Sequence, residues 1–451
     1  MNHDRPFQRE FDKTAEKLPA LLWEGLVKDK LKAQGIKIRK KALRKIVAKI
    51  LDGDFDTIEF DDADIKVPEG TEPDLTLSLD EKDLEELETR SERFMKRIPK
   101  MTKRLAKQAS KDFVRAAYTQ WLEDYALRQS ELAAFSERLR YRWRKGLIPL
   151  NGLLEMSREY GQQRIDEEIS AAEGALKPRL DVLFGLHLRG CQVCSEIITL
   201  LEAGYADGAM ARWRTLFELT VVAALIKEAD DETAQKYLDH NHVDALKAAN
   251  RYMQTSPFAI SEPVPEAEMA ALNARVDELV ERYGPSYKQE YGWAAELTGN
   301  PNPNFATLVK QAEKETSQSI YKMASFNIHA GARSLFFRQT AMLSHSGLIA
   351  GASNSGLEDP GAQTANSISQ LTALILPDPV VAIDDIIILN VIIRLRKAAD
   401  KGFYRAAEKL HKEDVEQVAL REHGIPGAGL IDIADYRIVK TGSNADLTSN
   451  D

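Results

Sequence analysis

The stretch LAKQASKDFVRAAYTQWLEDYALRQSELAAFSERLRYRWRK, residues 105–145, decides the fold class. Its charged and apolar residues follow a heptad-like pattern, and the run is longer than the helices of most compact domains. We expect a long helical arm, either a stalk or part of an antiparallel coiled coil. Ser78 and Glu81 have the spacing of a capping box and predict where the helix begins, while Pro99 is expected to kink or divide it.

The flanking sequence is helical as well. On the N-terminal side, LPALLWEGLVKDKLKAQG ends at Gly35, and apolar residues then recur at helical spacing as far as Gly53, which predicts a helical hairpin. Strand signals are confined to FDTIEF and ADIKVPEGTEPDLTLSL, which predict a strand pair or an extended linker. The sequence therefore predicts an all-α protein, a multi-helix bundle with an N-terminal helical hairpin and a long helical arm, and little or no β structure.

A length of 451 residues is enough for two or three domains. We predict an N-terminal helical hairpin with an acidic linker over residues 1–78 and the helical arm over residues 79–172. A helical bundle is predicted over residues 173–423, because its helical periods are separated by breaks rich in glycine and proline. Residues 424–451 are predicted to form a C-terminal tail.

Composition narrows the functional classes. Hydrophobic residues make up 43% of the chain and charged residues 29%, which is typical of a folded globular protein. The net charge of -9 argues against a general nucleic-acid binder. The N-terminus lacks the apolar segment of a secretion signal, and the apolar runs are too short or too charged to span a bilayer. We therefore expect a cytoplasmic protein with no membrane partner.

Charge alternates in blocks along the N-terminal part. Residues 28–50 carry ten Lys or Arg and one acidic residue, residues 52–88 carry sixteen acidic residues and two lysines, and residues 90–112 carry nine Lys or Arg and two acidic residues. One interpretation is that the acidic block lies against a basic neighbour and neutralises it. The other is that the basic helices bind phosphate groups or a protein, so residues 1–172 are our candidate partner-binding region.

The two cysteines, Cys191 and Cys194, form a single CxxC preceded by His187. A structural zinc site needs four ligands, usually from two such pairs, so we interpret these thiols as buried core residues and predict no metal and no cofactor. Residues 240–242 spell HNH, but they lie in a helical pattern without the strand hairpin of that nuclease fold. Neither a P-loop nor a Rossmann fingerprint occurs.

Two polar groups lie within helical patterns. Arg214 and Glu218 are one helical turn apart in ARWRTLFELTVVAALIKE, where they form either an ion pair or part of a catalytic site. In the second group, Tyr321, Ser325 and His329 recur every four residues, and the stripe extends to Arg333.

These residue types supply a general acid/base and a phosphate clamp, the groups needed to cleave RNA through its 2′-hydroxyl without a metal ion. The alternative is a hydrogen-bonded polar seam between helices. We expect the Arg214–Glu218 face and the Tyr321–His329 face to line a shared cleft.

Two motifs carry a resemblance to a known family. LLEAGYADGAMARWRTLFELTVVAALI, followed about a hundred residues later by YKMASFNIHAGARS, resembles a HEPN-like bacterial family of unassigned function associated with defence and mobile-element loci. The resemblance covers about residues 175–345. It implies a helical protein that forms homo-oligomers and, in active members, cleaves RNA with an arginine and a histidine separated by four to six residues.

Arg338 and His345 match that spacing with six intervening residues, and Arg405 and His411 match it with five. Arg338–His345 has the better context, because a seven-residue step returns to nearly the same helical face. The candidate catalytic residues are therefore His329, Ser325, Tyr321, Arg214, Glu218, Arg338 and His345. Two hypotheses follow: a metal-independent ribonuclease in bacterial defence, or a non-catalytic helical scaffold or sensor that binds a protein or nucleic-acid partner.

Overall fold

The structure, a computed structural model, describes residues 6–53, 58, 64–67, 77–171, 176–255, 264–329, 331–333 and 349–422. These residues form an all-α fold with one short strand pair, which confirms the predicted fold class. The elements in chain order are α1 (Pro6–Glu16), α2 (Leu18–Ala33), β1 (Lys37–Ile38), α3 (Lys40–Asp52), β2 (Ile65–Lys66), α4 (Glu81–Ala171), α5 (Pro178–Glu202), α6 (Ala206–Glu228), α7 (Asp231–Asp239), α8 (Asn241–Thr255), α9 (Glu266–Tyr283), α10 (Ala295–Thr298), α11 (Phe305–Gln311), α12 (Gln318–Ala324), α13 (Glu358–Leu374) and α14 (Ile383–Glu422).

The predicted N-terminal hairpin is formed by α2 and α3. Val27 of α2 and Leu43 and Val47 of α3 are buried in one small core, because the apolar residues of both helices return to one face every three or four residues. β1, in the link between the helices, pairs antiparallel with β2. The strand signal of ADIKV is therefore confirmed, but its partner is this link, and most of FDTIEF lies outside the described residues.

The long helix α4 confirms the predicted arm but begins differently. The Asp80 amide donates to the Asp83 carboxylate at 2.8 Å, and the Asp83 amide donates to Asp80 Oδ1 at 3.1 Å. This reciprocal cap replaces the predicted pair of Ser78 and Glu81, since an aspartate accepts from the free amides of a first turn as well as a serine does. The helix also continues through Pro99 undivided, because many intact turns on both sides outweigh the single backbone hydrogen bond that proline removes.

Ion pairs join the start of α4 to α2. Asp83 pairs with Lys30, and this hydrogen bond is the main reason that the pKa of Asp83 is lowered. Arg90 contacts Asp29 at 2.8 Å and Glu86 at 2.5 Å. The described part of the acidic block thus contacts the basic block before it through Asp83 and Lys30, as the first interpretation of the charge blocks predicts.

Packing divides the chain into two compact units, Met1–Tyr125 and Ala126–Asp451, with the division inside α4. The core of the second unit contains the later part of α4 together with α5, α6, α13 and α14. Its largest fully buried side chains include Trp143, Trp213 and Phe403. None of the described helices is both long enough and apolar enough to cross a membrane.

Glycines allow the helices of this core to approach closely. A Cβ at Gly402 of α14 would lie 1.9 Å from the Lys145 carbonyl oxygen of α4. Phe403 fills the space that side chains at Gly146 and Gly361 would occupy, with ring atoms 2.6 and 2.5 Å from the two added Cβ positions. α4, α13 and α14 are therefore closely packed around Phe403.

Candidate functional site

The two predicted polar groups meet between α6 and α12. Arg214 and Glu218 lie one turn apart on α6, with Arg214 Nη2 3.6 Å from Glu218 Oε1. The Tyr321 hydroxyl of α12 accepts from Arg214 Nη2 at 2.5 Å and donates to Glu218 Oε1 at 2.6 Å. A phenol has one proton to donate, and here it donates to a carboxylate while accepting from a guanidinium. The structure thus brings together three of the seven candidate residues, 107 and 103 positions apart in sequence.

Electrostatics reinforce this triad, which we define as Arg214, Glu218 and Tyr321. The Arg214 guanidinium carbon lies 4.3 Å from the centre of the Tyr321 ring, a cation–π contact. Burial, with a smaller effect of the hydrogen bond to Glu218, raises the pKa of Tyr321 to about 12. The Tyr321 hydroxyl is therefore a hydrogen-bond donor at neutral pH and not a general base.

An aromatic cluster surrounds the triad. The centre of the Tyr321 ring lies 4.9 Å from that of Phe305 and 5.6 Å from that of Phe217. The ring centres of Tyr291 and Phe305 are 6.4 Å apart. These rings limit the access of water to Arg214, whose Nε is buried and has no acceptor among the described residues. A guanidinium with one unused, buried donor retains the capacity to bind one more acceptor, such as a phosphate or carboxylate oxygen.

The predicted stripe from Tyr321 to Arg333 does not continue along one helix. α12 ends at Ala324, a 3-10 turn follows over Ser325–Asn327, and His329 lies in the bend beyond it. The Ser325 hydroxyl donates to the Tyr321 carbonyl at 3.0 Å, which is a local contact within the turn. The expected single α-helical face is thus interrupted after Ala324 by the 3-10 turn, although the His329 amide still donates to the Ser325 carbonyl at 3.2 Å.

His329 and Arg333 are both exposed, whereas the triad is half-buried. The Arg333 guanidinium lies 5.8 Å from the centre of the Phe326 ring. The structure therefore shows a bonded triad and, a few residues along the chain, an exposed histidine and arginine. The shared cleft stays a prediction. The other two candidates, Arg338 and His345, lie outside the described residues.

A second polar seam, not predicted from the sequence, crosses the core between α4, α5 and α13. His187 Nε2 lies 3.2 Å from Thr372 Oγ1, which is 2.9 Å from Ser157 Oγ. Burial alone lowers the pKa of His187 to about 4, so this histidine is neutral in the folded protein at neutral pH. Ser157 and Gly161, small residues one turn apart on α4, were the signal for this close crossing, since a Cβ at Gly161 would lie 2.6 Å from the imidazole.

Cys191 and Cys194 are buried free thiols, as predicted. Burial raises the pKa of Cys191 to about 11 and raises that of Cys194 as well, so both are protonated and unreactive as nucleophiles. In the HNH string, His240 ends α7 and its Nε2 lies 3.0 Å from the Gln289 carbonyl oxygen. Within the ranges that the structure describes, no three His, Cys, Asp or Glu side chains are close enough to hold a metal ion.

Part of the chain is similar to a protein family. A model of a family of unknown function (DUF5677) matches residues 180–341. The matched stretch includes α5 through α12, and thus contains the triad together with His329 and Arg338. No curated protein and no solved structure matches the chain. The similarity covers both motifs quoted above, and the description of the matched family carries no activity.

Proposed function

We propose that this protein is an effector of bacterial defence that cleaves RNA without a metal ion. The observation that carries the proposal is the exposure of His329 and Arg333 directly after a helix that Tyr321 links to α6. Solvent reaches both side chains, and the start of their segment is held by charged hydrogen bonds. The HEPN-like resemblance of the same two motifs supports RNA as the substrate.

The reaction would use these residues in separate roles. The ribose 2′-oxygen attacks the neighbouring phosphorus as a base removes its proton, and the bond from phosphorus to the 5′-oxygen breaks as an acid protonates that oxygen. His329 would transfer these protons, and Arg333 would stabilise the negative charge that develops on the phosphate oxygens. The products are a 2′,3′-cyclic phosphate and a 5′-hydroxyl. Arg214, Glu218 and Tyr321 would be positioning residues, because they bond to one another.

The test is incubation of a 5′-labelled RNA with the full chain in the presence of EDTA, followed by analysis of the product ends. We expect cleavage that leaves 2′,3′-cyclic phosphate ends. His329→Ala should lower the rate by about 100-fold to 10,000-fold, the usual contribution of a general acid or base. Its thermal midpoint should stay within a few degrees of the parent, because the side chain is exposed.

His411→Ala is the matched control, since His411 is an exposed histidine of α14 that belongs to the other Arg–His spacing. It should cleave at the parental rate. Arg338→Ala and His345→Ala, at positions outside the described residues, test the six-residue spacing in the same assay. Equal cleavage by the parent, His329→Ala, Arg338→Ala and His345→Ala would exclude this segment from the mechanism.

The second candidate function is a non-catalytic helical scaffold or sensor. The observation in its favour is that the Tyr321 hydroxyl uses both its donor and its acceptor within the protein, as expected for a structural seam. In the same experiment, RNA that remains intact over hours at an excess of protein would contradict the ribonuclease. If that RNA also migrates in a stable complex with the protein, the result supports the scaffold.

A further inference from the structure

An apolar stripe lies exposed on residues 96–125 of α4. From here on, the arm means this part of the longer segment predicted above. Val114, Tyr118, Trp121 and Tyr125 follow one another at steps of four, three and four residues, which places them on one face of the helix. Their exposed fractions are 56%, 59%, 53% and 63%. Three aromatic side chains in a row at this exposure are unusual, because large apolar patches on a protein surface mark interaction sites.

Several polar side chains near the stripe form hydrogen bonds within their own helix. Gln108 donates to Asp112 at 3.1 Å and Gln120 donates to Asp124 at 3.1 Å, each one helical turn along. The Thr119 hydroxyl donates to the Arg115 carbonyl at 3.3 Å. In the described structure, these contacts stabilise the helix without covering its apolar face.

We infer that the stripe is a seam through which two copies of this chain pair, with their arms antiparallel. Steps of four and three residues are the spacing that lets one helix insert its side chains between those of another. A two-fold axis between residues 119 and 120 places Tyr118 level with Trp121 of the other copy, and Val114 level with Tyr125. Every residue of the stripe then lies opposite another residue of the stripe.

The charge distribution favours this orientation over a parallel one. Residues 103–118 carry five Lys or Arg and one Asp, a net charge of +4, whereas residues 121–136 carry three acidic residues and one Arg, a net charge of -2. The same axis exchanges these two segments, so each basic segment lies beside an acidic segment of the other copy. A parallel pair would place the basic segments side by side, which like charges disfavour.

The area of the stripe is consistent with a reversible dimer. An aromatic side chain buries 150–250 Å² when it is fully covered, and these side chains are already partly covered by their own helix. Two stripes together would bury on the order of 1,000 Å², near the lower limit for a specific interface. The dimer should therefore dissociate on dilution.

The test of pairing is the molar mass of the full chain, measured by light scattering over a range of concentrations. We expect twice the 50.5 kDa of one chain at high concentration and a shift toward one chain on dilution. Tyr118→Glu combined with Trp121→Glu should give the mass of one chain throughout. The control is Ala116→Glu combined with Thr119→Glu, which adds the same charge to exposed positions away from the stripe and should pair like the parent.

The orientation is measured separately with a spin label on Ser110→Cys. Antiparallel pairing about the stated axis places the two labelled positions 19 residues apart along the helices, about 30 Å at 1.5 Å per residue. Parallel pairing would place them about 10 Å apart, the distance between packed helices.

A distance near 10 Å would overturn the inferred orientation. A parent chain that stays monomeric, or a dimer that survives the two glutamates of the stripe, would overturn the pairing itself. If the monomeric parent instead binds single-stranded RNA and the stripe variant does not, the stripe is a binding surface for nucleic acid and not for a second copy.

Discussion

Trp213 and Trp121 show how the compact body, residues 126–451, differs from the arm. Trp213 of α6 is fully buried, and its Nε1 donates to Ser367 Oγ at 3.0 Å and to the Gln363 carbonyl at 3.1 Å. Trp121 of the arm is half-exposed on a helix whose polar contacts are local. Both residues occupy apolar positions of a helical pattern. The difference shows that such a pattern predicts which face is apolar, but not what covers that face.

The largest loss of stability should follow from a substitution in the core of the body. Trp213→Ala removes a fully buried indole and leaves a cavity, which costs about 3 to 5 kcal/mol of the free energy of unfolding. Urea unfolding followed by circular dichroism would measure the loss. A loss below about 1 kcal/mol would contradict the packing of α6 against α13.

An intermediate loss of stability should occur at acid pH, because His187 is buried in its neutral form. The pKa of this buried histidine is lowered from 6.5 to about 4, so between these values the unfolded chain binds a proton that the folded chain does not. The folded state therefore has its full stability with respect to this histidine above pH 6.5, and it loses stability as the pH falls toward 4. At about 1.4 kcal/mol per pKa unit, the loss reaches about 3 kcal/mol.

The comparison that isolates this effect is the pH dependence of stability in His187→Gln. Glutamine keeps a polar group near Thr372 but does not titrate. Its free energy of unfolding should fall less between pH 6.5 and 4 than that of the parent, whatever the difference between the two proteins at pH 7. Parallel curves over this range would show that His187 does not remain neutral in the folded core.

The smallest effect should come from the arm. Trp121→Ala, measured at a concentration below that at which the arms pair, should change the free energy of unfolding of the body by less than about 0.5 kcal/mol, because its indole is half-exposed. Differential scanning calorimetry of the same dilute samples would measure the body transition. A change as large as that of Trp213→Ala would mean that the two tryptophans do not differ in the way the structure shows.

Local features of the sequence predict some elements of the structure and not others. The N-terminal hairpin, the long helix and the buried thiols were predicted, because periodicity and residue type act over a few turns. The spacing of Ser78 and Glu81 predicts the start of α4 at Ser78, but Asp80 and Asp83, which have the same spacing, form the observed cap. Pro99 predicts a kink or a division of the helix, and the helix is not divided, because the loss of one backbone hydrogen bond does not decide whether the remaining turns persist.

The candidate site illustrates the same limit. Arg214 and Glu218 are paired by helical geometry alone, and the sequence therefore predicted their contact. The stripe does not continue to His329 along one α-helix, because the α-helix ends at Ala324 and a 3-10 turn follows, a change that the spacing of polar residues does not reveal. The His187 seam was missed because its three members come from α4, α5 and α13, and no local pattern relates them.

By itself, then, the amino-acid sequence determined that the chain is helical, where most helices lie and which of their faces are apolar, since these properties depend on neighbours within a few turns. Only the tertiary structure decided that Tyr321 joins Arg214 and Glu218, that His187 is buried and neutral, and that Tyr118 and Trp121 remain exposed. Burial and hydrogen bonding between distant segments depend on how whole helices cross. Those crossings are set by volumes and close approaches, such as that of Gly402 to Lys145, which no single stretch of sequence contains.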